Sequence, residues 1–459
     1  MMQRNLWQHR RVYLAASPRT FPFSHIAMSS ATSVRTALLL LVLAAGTSVH
    51  GQVNAGCINQ LTGQDCREGV LNTITTAVPF LMISVDSRAG GMGDAGVAVS
   101  PDANSIHWNP SKLAFAENDG EFSMSYSPWL RNLVPDMSLA YLSGYKRLSN
   151  KRSTLGGSLR YFNLGSILFT DVNGSTIRDF KPAEFALDVA FAQQFGENFS
   201  GGLAIRYVNS NLTGGISVQG ANSKAGQSVA ADVSFFYQKK DLQLGDREGS
   251  FALGLNVSNI GAKMSYTDAG TQDFIPINLR LGPAFTLNMD EYNSLTFAFD
   301  LNKLLVPTPP VYYPDNRIDP QTNQLAVVSG RNPNVGVAQG MFGSFTDAPG
   351  VVVVNEDSTF SVVEGTRWKE ELREVNIGGG LEYWYARQFA FRAGYFYEHF
   401  TKGNRQYFTI GAGLRYNIFS LDLSYLVANA QRSPLANTLR FTLGFRFDGK
   451  GGKKKPAAE

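Results

Sequence analysis

From about Glu121 to Phe447 the chain alternates apolar residues with small or polar ones, in short runs separated by turn-like stretches. In the last run Leu439, Phe441, Leu443, Phe445 and Phe447 fall on one parity, and Arg440, Thr442, Gly444 and Arg446 on the other. Successive side chains of a strand point to opposite faces, so each run has one greasy, aromatic face and one wet face. Phe122, Met124 and Tyr126 open the series, and Met137, Leu139 and Tyr141 form the second apolar set. Later sets include Phe185, Leu187, Val189 and Phe191, and Leu295, Phe297, Phe299 and Leu301. The pattern predicts an all-β fold, a transmembrane antiparallel β-barrel of about fourteen strands with the apolar parity on lipid.

Connection lengths test this. With both termini on the periplasmic side, odd-to-even connections face outward and run long, and even-to-odd ones are short. Gly165 to Pro182, Asn211 to Gly226 and Gly261 to Ile277 are long, and residues 304–372 form a far longer outer loop. Gly196 to Asn198, Met289 to Tyr292 and the region of Arg387 are tight, with Lys239 to Glu248 the longest on that side. Inside the long loop, Val351 to Val354 and Phe360 to Val363 flank a polar turn and predict a hairpin. Pro283 falls within the eighth strand, where a missing N–H marks a bulge or a gap in the ladder.

The wet parity carries Arg160, Arg206, Arg280, Arg392, Arg415, Arg440 and Arg446 against Asp188, Asp232, Asp300, Glu382, Glu398 and Asp422. A charge on lipid costs several kcal/mol, so this parity fits the register. The signs nearly balance, whereas an ion-selective pore favours one sign. The expectation is an ionic network that closes the lumen on itself, rather than a ligand site.

Composition then narrows the class. Charged residues are 17% of 459, below the usual quarter, and the chain holds 45 Gly and 31 Phe. The net charge of +4 supports no nucleic-acid partner. Arg35, the apolar run Ala37 to Ala45 and small residues up to Gly51 predict a secretory signal within residues 1–51, with Met28 as the better start. Cys57 and Cys66 follow it, and a local disulfide is favoured over lipidation of Cys57. Residues 52–118 lack the alternation and are read as an N-terminal segment packed in the barrel as a plug. Residues 119–447 are the barrel, and 448–459 a periplasmic tail.

Catalytic chemistry is sparse. Beyond the signal region the histidines are His107 and His399, and no metal, cofactor or nucleophile motif stands out. Gly91, Gly93 and Gly96 spell a dinucleotide-like pattern, but Pro101 follows too soon for the helix such a site needs. No enzyme activity and no cofactor are expected.

The run Ser87-Arg88-Ala-Gly-Gly91-Met-Gly93-Asp94-Ala-Gly96, with Trp108-Asn109-Pro110-Ser111-Lys112, resembles the N-terminal signature of the PorV family. That family comprises outer-membrane components of the type IX secretion system, and its wider group is similar to the FadL barrels. The resemblance implies outer-membrane placement and a shuttle role. Cargo C-terminal domains would be taken from the translocon barrel and delivered to a sortase-like attachment complex. The loop from Val311 to Trp368 is the expected cargo contact, with Tyr312, Tyr313 and Trp368 as candidate anchors. The alternative is a FadL-like transporter of hydrophobic small molecules.

Overall fold

The computed structural model describes residues 71–447 apart from 132, 171–172, 174, 216–221, 269–271, 356, 358 and 430–432. The signal region, Cys57, Cys66 and the tail therefore lie outside the described residues.

Fourteen antiparallel strands close into one barrel. In chain order they are β1 (Gly120–Pro128), β2 (Ser138–Arg147), β3 (Ser153–Asn163), β4 (Ala183–Gln194), β5 (Phe199–Asn211), β6 (Gly226–Leu244) and β7 (Arg247–Gly261). The second half is β8 (Asn278–Asn288), β9 (Ser294–Leu304), β10 (Val375–Tyr385), β11 (Phe389–Tyr397), β12 (Gln406–Tyr416), β13 (Phe419–Ala428) and β14 (Leu439–Phe447). The seam joins β1 to β14 in register from Gly120↔Phe447 to Tyr126↔Phe441. Closure is forced by the solvent: in lipid every backbone N–H and C=O needs a protein partner, and a cylinder leaves no open edge. Among the described residues no helix is long and apolar enough to cross a membrane.

The alternation sorts as lipid demands. Val189 and Ile205 are more than half exposed on the outer face, while their neighbours Asp188 and Arg206 are buried inside. β2 departs from the sequence reading. Leu139 and Tyr141 point inward and are buried, so the outer parity there is Ala140, Leu142 and Gly144. The reason is that residues of the N-terminal segment pack against this face, which lets apolar side chains turn inward. Leu139 joins a cluster with Phe80 and Leu81, and the Tyr141 ring lies 5.6 Å from the Arg160 guanidinium.

The turns also refine the reading. The Lys239 to Glu248 stretch is no loop: β6 and β7 run on past a bulge to a tight turn at Gly245 and Asp246. At the β10–β11 turn, Ala386 and Arg387 both have φ of 52°, the paired left-handed conformation of a two-residue hairpin turn. Between β8 and β9 the partner pairs skip Gly282 and Pro283, while pairing with β7 continues through both.

At the end of the barrel that carries the longer connections, the β9–β10 connection holds helices over Val337–Gly343 and Thr366–Arg373, and the hairpin Val352–Val354 with Phe360–Val362. Ahead of the barrel come short helices at Ser87–Gly90 and Ser105–Trp108, and 3₁₀ turns at Pro79–Met82 and Pro110–Phe115.

The lipid face makes a direct prediction. Ile205→Arg should destabilise the barrel by about 2–4 kcal/mol, measured by guanidinium unfolding in lipid. An unchanged midpoint would place Ile205 off the lipid face.

Candidate functional site: the filled lumen and its outer mouth

The segment from residue 71 to 116 packs against inward-facing residues of the strands. Its first residues meet the outer loops: the Asn72 N–H donates to the Thr401 carbonyl at 2.9 Å, and Asn72 Nδ2 to Glu370 Oε1 at 3.0 Å. Val78, Phe80 and Leu81 then form an apolar cluster with Leu139, Phe162, Ile275, Ile277 and Val306 from strands and loops. Arg160 caps this turn, donating from Nη1 to the carbonyls of Phe80 and Leu81 and from Nη2 to His107 Nδ1 at 2.7 Å.

Deeper in, backbone meets backbone. Gly93 has φ of +67°, and a Cβ there would sit 2.4 Å from the Tyr395 carbonyl. The wall answers with its own glycine: a Cβ on Gly394 would lie 2.1 Å from the Gly93 nitrogen. Neither position has room for a side chain. Of the three glycines of the dinucleotide-like pattern, Gly91 and Gly93 serve contact between segment and wall, and Gly96 makes room for the Trp108 ring within the segment.

The other motif residues are tied in by hydrogen bonds. Asn109, fully buried, donates from Nδ2 to the carbonyls of Val97 (3.1 Å) and Phe235 (3.0 Å), and its Oδ1 accepts the Ser111 N–H that starts the Pro110 turn. Lys112 Nζ donates to the Gly96 carbonyl at 2.7 Å, and Trp108 Nε1 to Asp86 at 2.6 Å. The Ser87 N–H donates to Thr442, and Asp94 accepts from the Tyr407 hydroxyl at 2.7 Å.

The charges form two buried chains. In one, Glu382 takes Arg88 at 2.7 and 2.9 Å and Arg392 at 2.8 Å, Arg392 continues to Asp422 at 2.7 Å, and Arg88 reaches Asp102 at 3.1 Å. In the other, Arg206 bridges Asp188 at 2.5 Å and Asp232 at 3.1 Å and donates to Asn259. Asp300 accepts the Gly96 and Val97 N–H groups at 2.8 and 2.9 Å. Arg440 reaches Asp94 at 3.6 Å, and Glu398 pairs with Arg405 at 2.7 Å at the outer rim.

Three of the sequence-predicted arginines take other partners. Arg160 binds carbonyls, Arg280 lies over the Trp108 ring and donates to Asn302 at 2.6 Å, and Arg415 stacks on Trp384 at 3.8 Å. Arg446 is half-buried and forms no ion pair among the described residues.

A third cluster, at the outer mouth, was not foreseen. Lys303 pairs with Glu374 at 2.6 Å and Glu371 at 3.2 Å, and Lys402 pairs with Glu370 at 2.7 Å and Glu374 at 3.0 Å. These side chains come from the end of β9, the helix before β10 and the β11–β12 loop. Asp347 joins them, and burial, with Glu374 and Glu371 close by, pushes its carboxyl up to about 6.

The three loop aromatics separate. Tyr312 and Trp368 are exposed. Tyr313 is half-buried and packs edge-on against Phe360 at 5.3 Å with Arg317 over its ring. Phe342, Phe345 and Leu372 are exposed on the same connection and carried no periodic signal.

A closed barrel with an oily exterior and a charged, filled interior is an outer-membrane protein. The family described as type IX secretion system protein PorV matches residues 66–311, over half the chain, and the chain belongs to that family. No curated protein matches it. Among solved structures it is similar to the toluene transporter TbuX of Ralstonia pickettii, at 12% identity and a TM-score of 0.39 over 79% of this chain and 98% of that one. A FadL homologue of Pseudomonas aeruginosa is similar at 10% identity and a TM-score of 0.39 over 82% and 99%. The protein is thus an outer-membrane component of type IX secretion.

Glu382→Gln should cost about 3–5 kcal/mol in detergent unfolding, because Arg88 and Arg392 lose their shared partner in a buried site. Lys224→Ala, which removes an exposed pair with Asp268, should cost about 0–1 kcal/mol. Equal effects would contradict the buried network.

Proposed function

We propose that the protein is a non-enzymatic carrier. It binds cargo C-terminal domains with its outer loops, takes them from the translocon barrel and passes them to a sortase-like attachment complex. The segment over 71–116 acts as a plug that closes the lumen, so the work is done at the outer surface. Family membership supports the secretion role. The observation that carries the loop assignment is the β9–β10 connection: it is braced by ion pairs at its base and carries exposed Tyr312, Phe342, Phe345, Trp368 and Leu372. Large exposed aromatics on a rigid base are the side chains that anchor protein interfaces.

A FadL-like transporter is the second reading. Pro283 favours it, since the β8–β9 ladder lacks partner pairs at Gly282 and Pro283. Against it stand the ion chains of Arg88 and Arg206, which put charge across the route a hydrophobic solute would follow.

Affinity isolation in mild detergent separates the two. Co-purified cargo C-terminal domains support the carrier, and recovery of lipid alone contradicts it. Trp368→Ala should weaken cargo capture roughly thirty-fold, equivalent to about 2 kcal/mol, while the barrel stays folded. Undiminished capture would remove Trp368 from the interface.

A further inference from the structure

The outer mouth holds more negative charge than its lysines balance. Asp347, Glu370, Glu371 and Glu374 face Lys303 and Lys402, with Arg373 on the same helix as the last three acids. Asp347, Glu371 and Glu374 each bring one carboxylate oxygen to within 4.8 Å of the others.

Hydrogen bonding accounts for most of these oxygens. Glu371 Oε1 accepts the Ala348 N–H at 2.8 Å, Glu374 Oε1 accepts the Thr308 hydroxyl at 2.8 Å, and Asp347 Oδ2 accepts the Thr308 N–H at 3.0 Å. Asp347 Oδ1 is the exception: Asp347 is only 3% exposed, and no protein group donates to that oxygen. A carboxylate oxygen buried beside two further carboxylates without a donor is costly, and such a group calls for a cation. Glu374 Oε1 also takes Lys402 at 3.0 Å and is full, whereas Glu374 Oε2 and Glu371 Oε2, each bonded to Lys303 alone, and Glu371 Oε1 and Asp347 Oδ2 keep a second lone pair with which to join in.

We propose that Asp347, Glu371 and Glu374 bind a divalent cation, and that the cation is Ca²⁺. The donors are all carboxylate oxygens, the choice of a hard cation, with no His or Cys to favour zinc or copper. Ca²⁺ takes oxygens at about 2.3–2.6 Å and tolerates irregular geometry, so it spans the observed spread, whereas Mg²⁺ at about 2.0–2.1 Å spans less and demands an octahedron. The site faces the exterior, where modules bind Ca²⁺ with dissociation constants of about 0.1–1 mM. Asp347 lies in the middle of the long connection and the two glutamates at its end, so the ion would clip the connection to the foot of β10. This assignment does not rest on the carrier reading.

The test is calorimetric titration of CaCl₂ and MgCl₂ into the full-length protein in detergent, after stripping with chelator and removing it. One saturable Ca²⁺ site per chain, preferred over Mg²⁺, is the expected result. Asp347→Asn and Glu371→Gln should each weaken it at least about tenfold, with folding checked by the mobility of the unheated barrel on a gel. The proposal is overturned if the wild type shows no saturable Ca²⁺ binding. That outcome would leave a proton on Asp347 as the relief for Oδ1. Binding unchanged in folded Asp347→Asn would equally overturn it.

Discussion

Glu382 holds two guanidinium groups at once, one from the wall and one from the segment ahead of the first strand. The rest of the structure depends on that shared carboxylate. A fourteen-stranded cylinder has an interior that must hold either water or protein. Here the segment over 71–116 packs against inward-facing wall residues, and charges buried there persist only with a partner, whether an opposite charge, a carbonyl or a ring. Arg88 alone in that interior would be ruinous. Between Glu382 and Asp102 it becomes a fastening between residues some three hundred positions apart in sequence.

The packing of this segment has consequences at the end of the barrel that carries the long connections. Toward the exterior, Phe80 and Leu81 make the wall apolar inside as well as out. At the rim, Lys303 and Lys402 knit the longest connection to the strand ends. That end of the barrel becomes a braced surface bearing exposed aromatics, the basis of the carrier proposal.

The barrel was legible because lipid imposes period two on every strand, and strand number and connection rhythm followed from it. The inner face was legible only in part. Parity put Arg206, Asp188 and Asp232 on the wet face, and their place on neighbouring strands is what lets them pair. It misplaced Leu139 and Tyr141, since apolar character marks lipid only when the lumen is wet. Arg160, Arg280 and Arg415 look like ion-pair partners in sequence, yet carbonyls and indole rings satisfy them. The cluster of Lys303, Lys402, Glu370 and Glu374 gave no signal because the last three lie outside the strands, where there is no alternation, and Lys303, at the end of β9, falls on the parity of Phe299 and Leu301. The contact of Tyr313 with Phe360, far along the chain, had no signal in the sequence either.

The central claim is that this barrel is closed by its own chain and works at its surface. Ionic current through the purified protein in a planar lipid bilayer tests it most directly. The account predicts no steady conductance from the intact protein and ohmic current once Glu382 and Arg88 are both replaced by alanine. Steady ohmic conductance from the intact protein would contradict it.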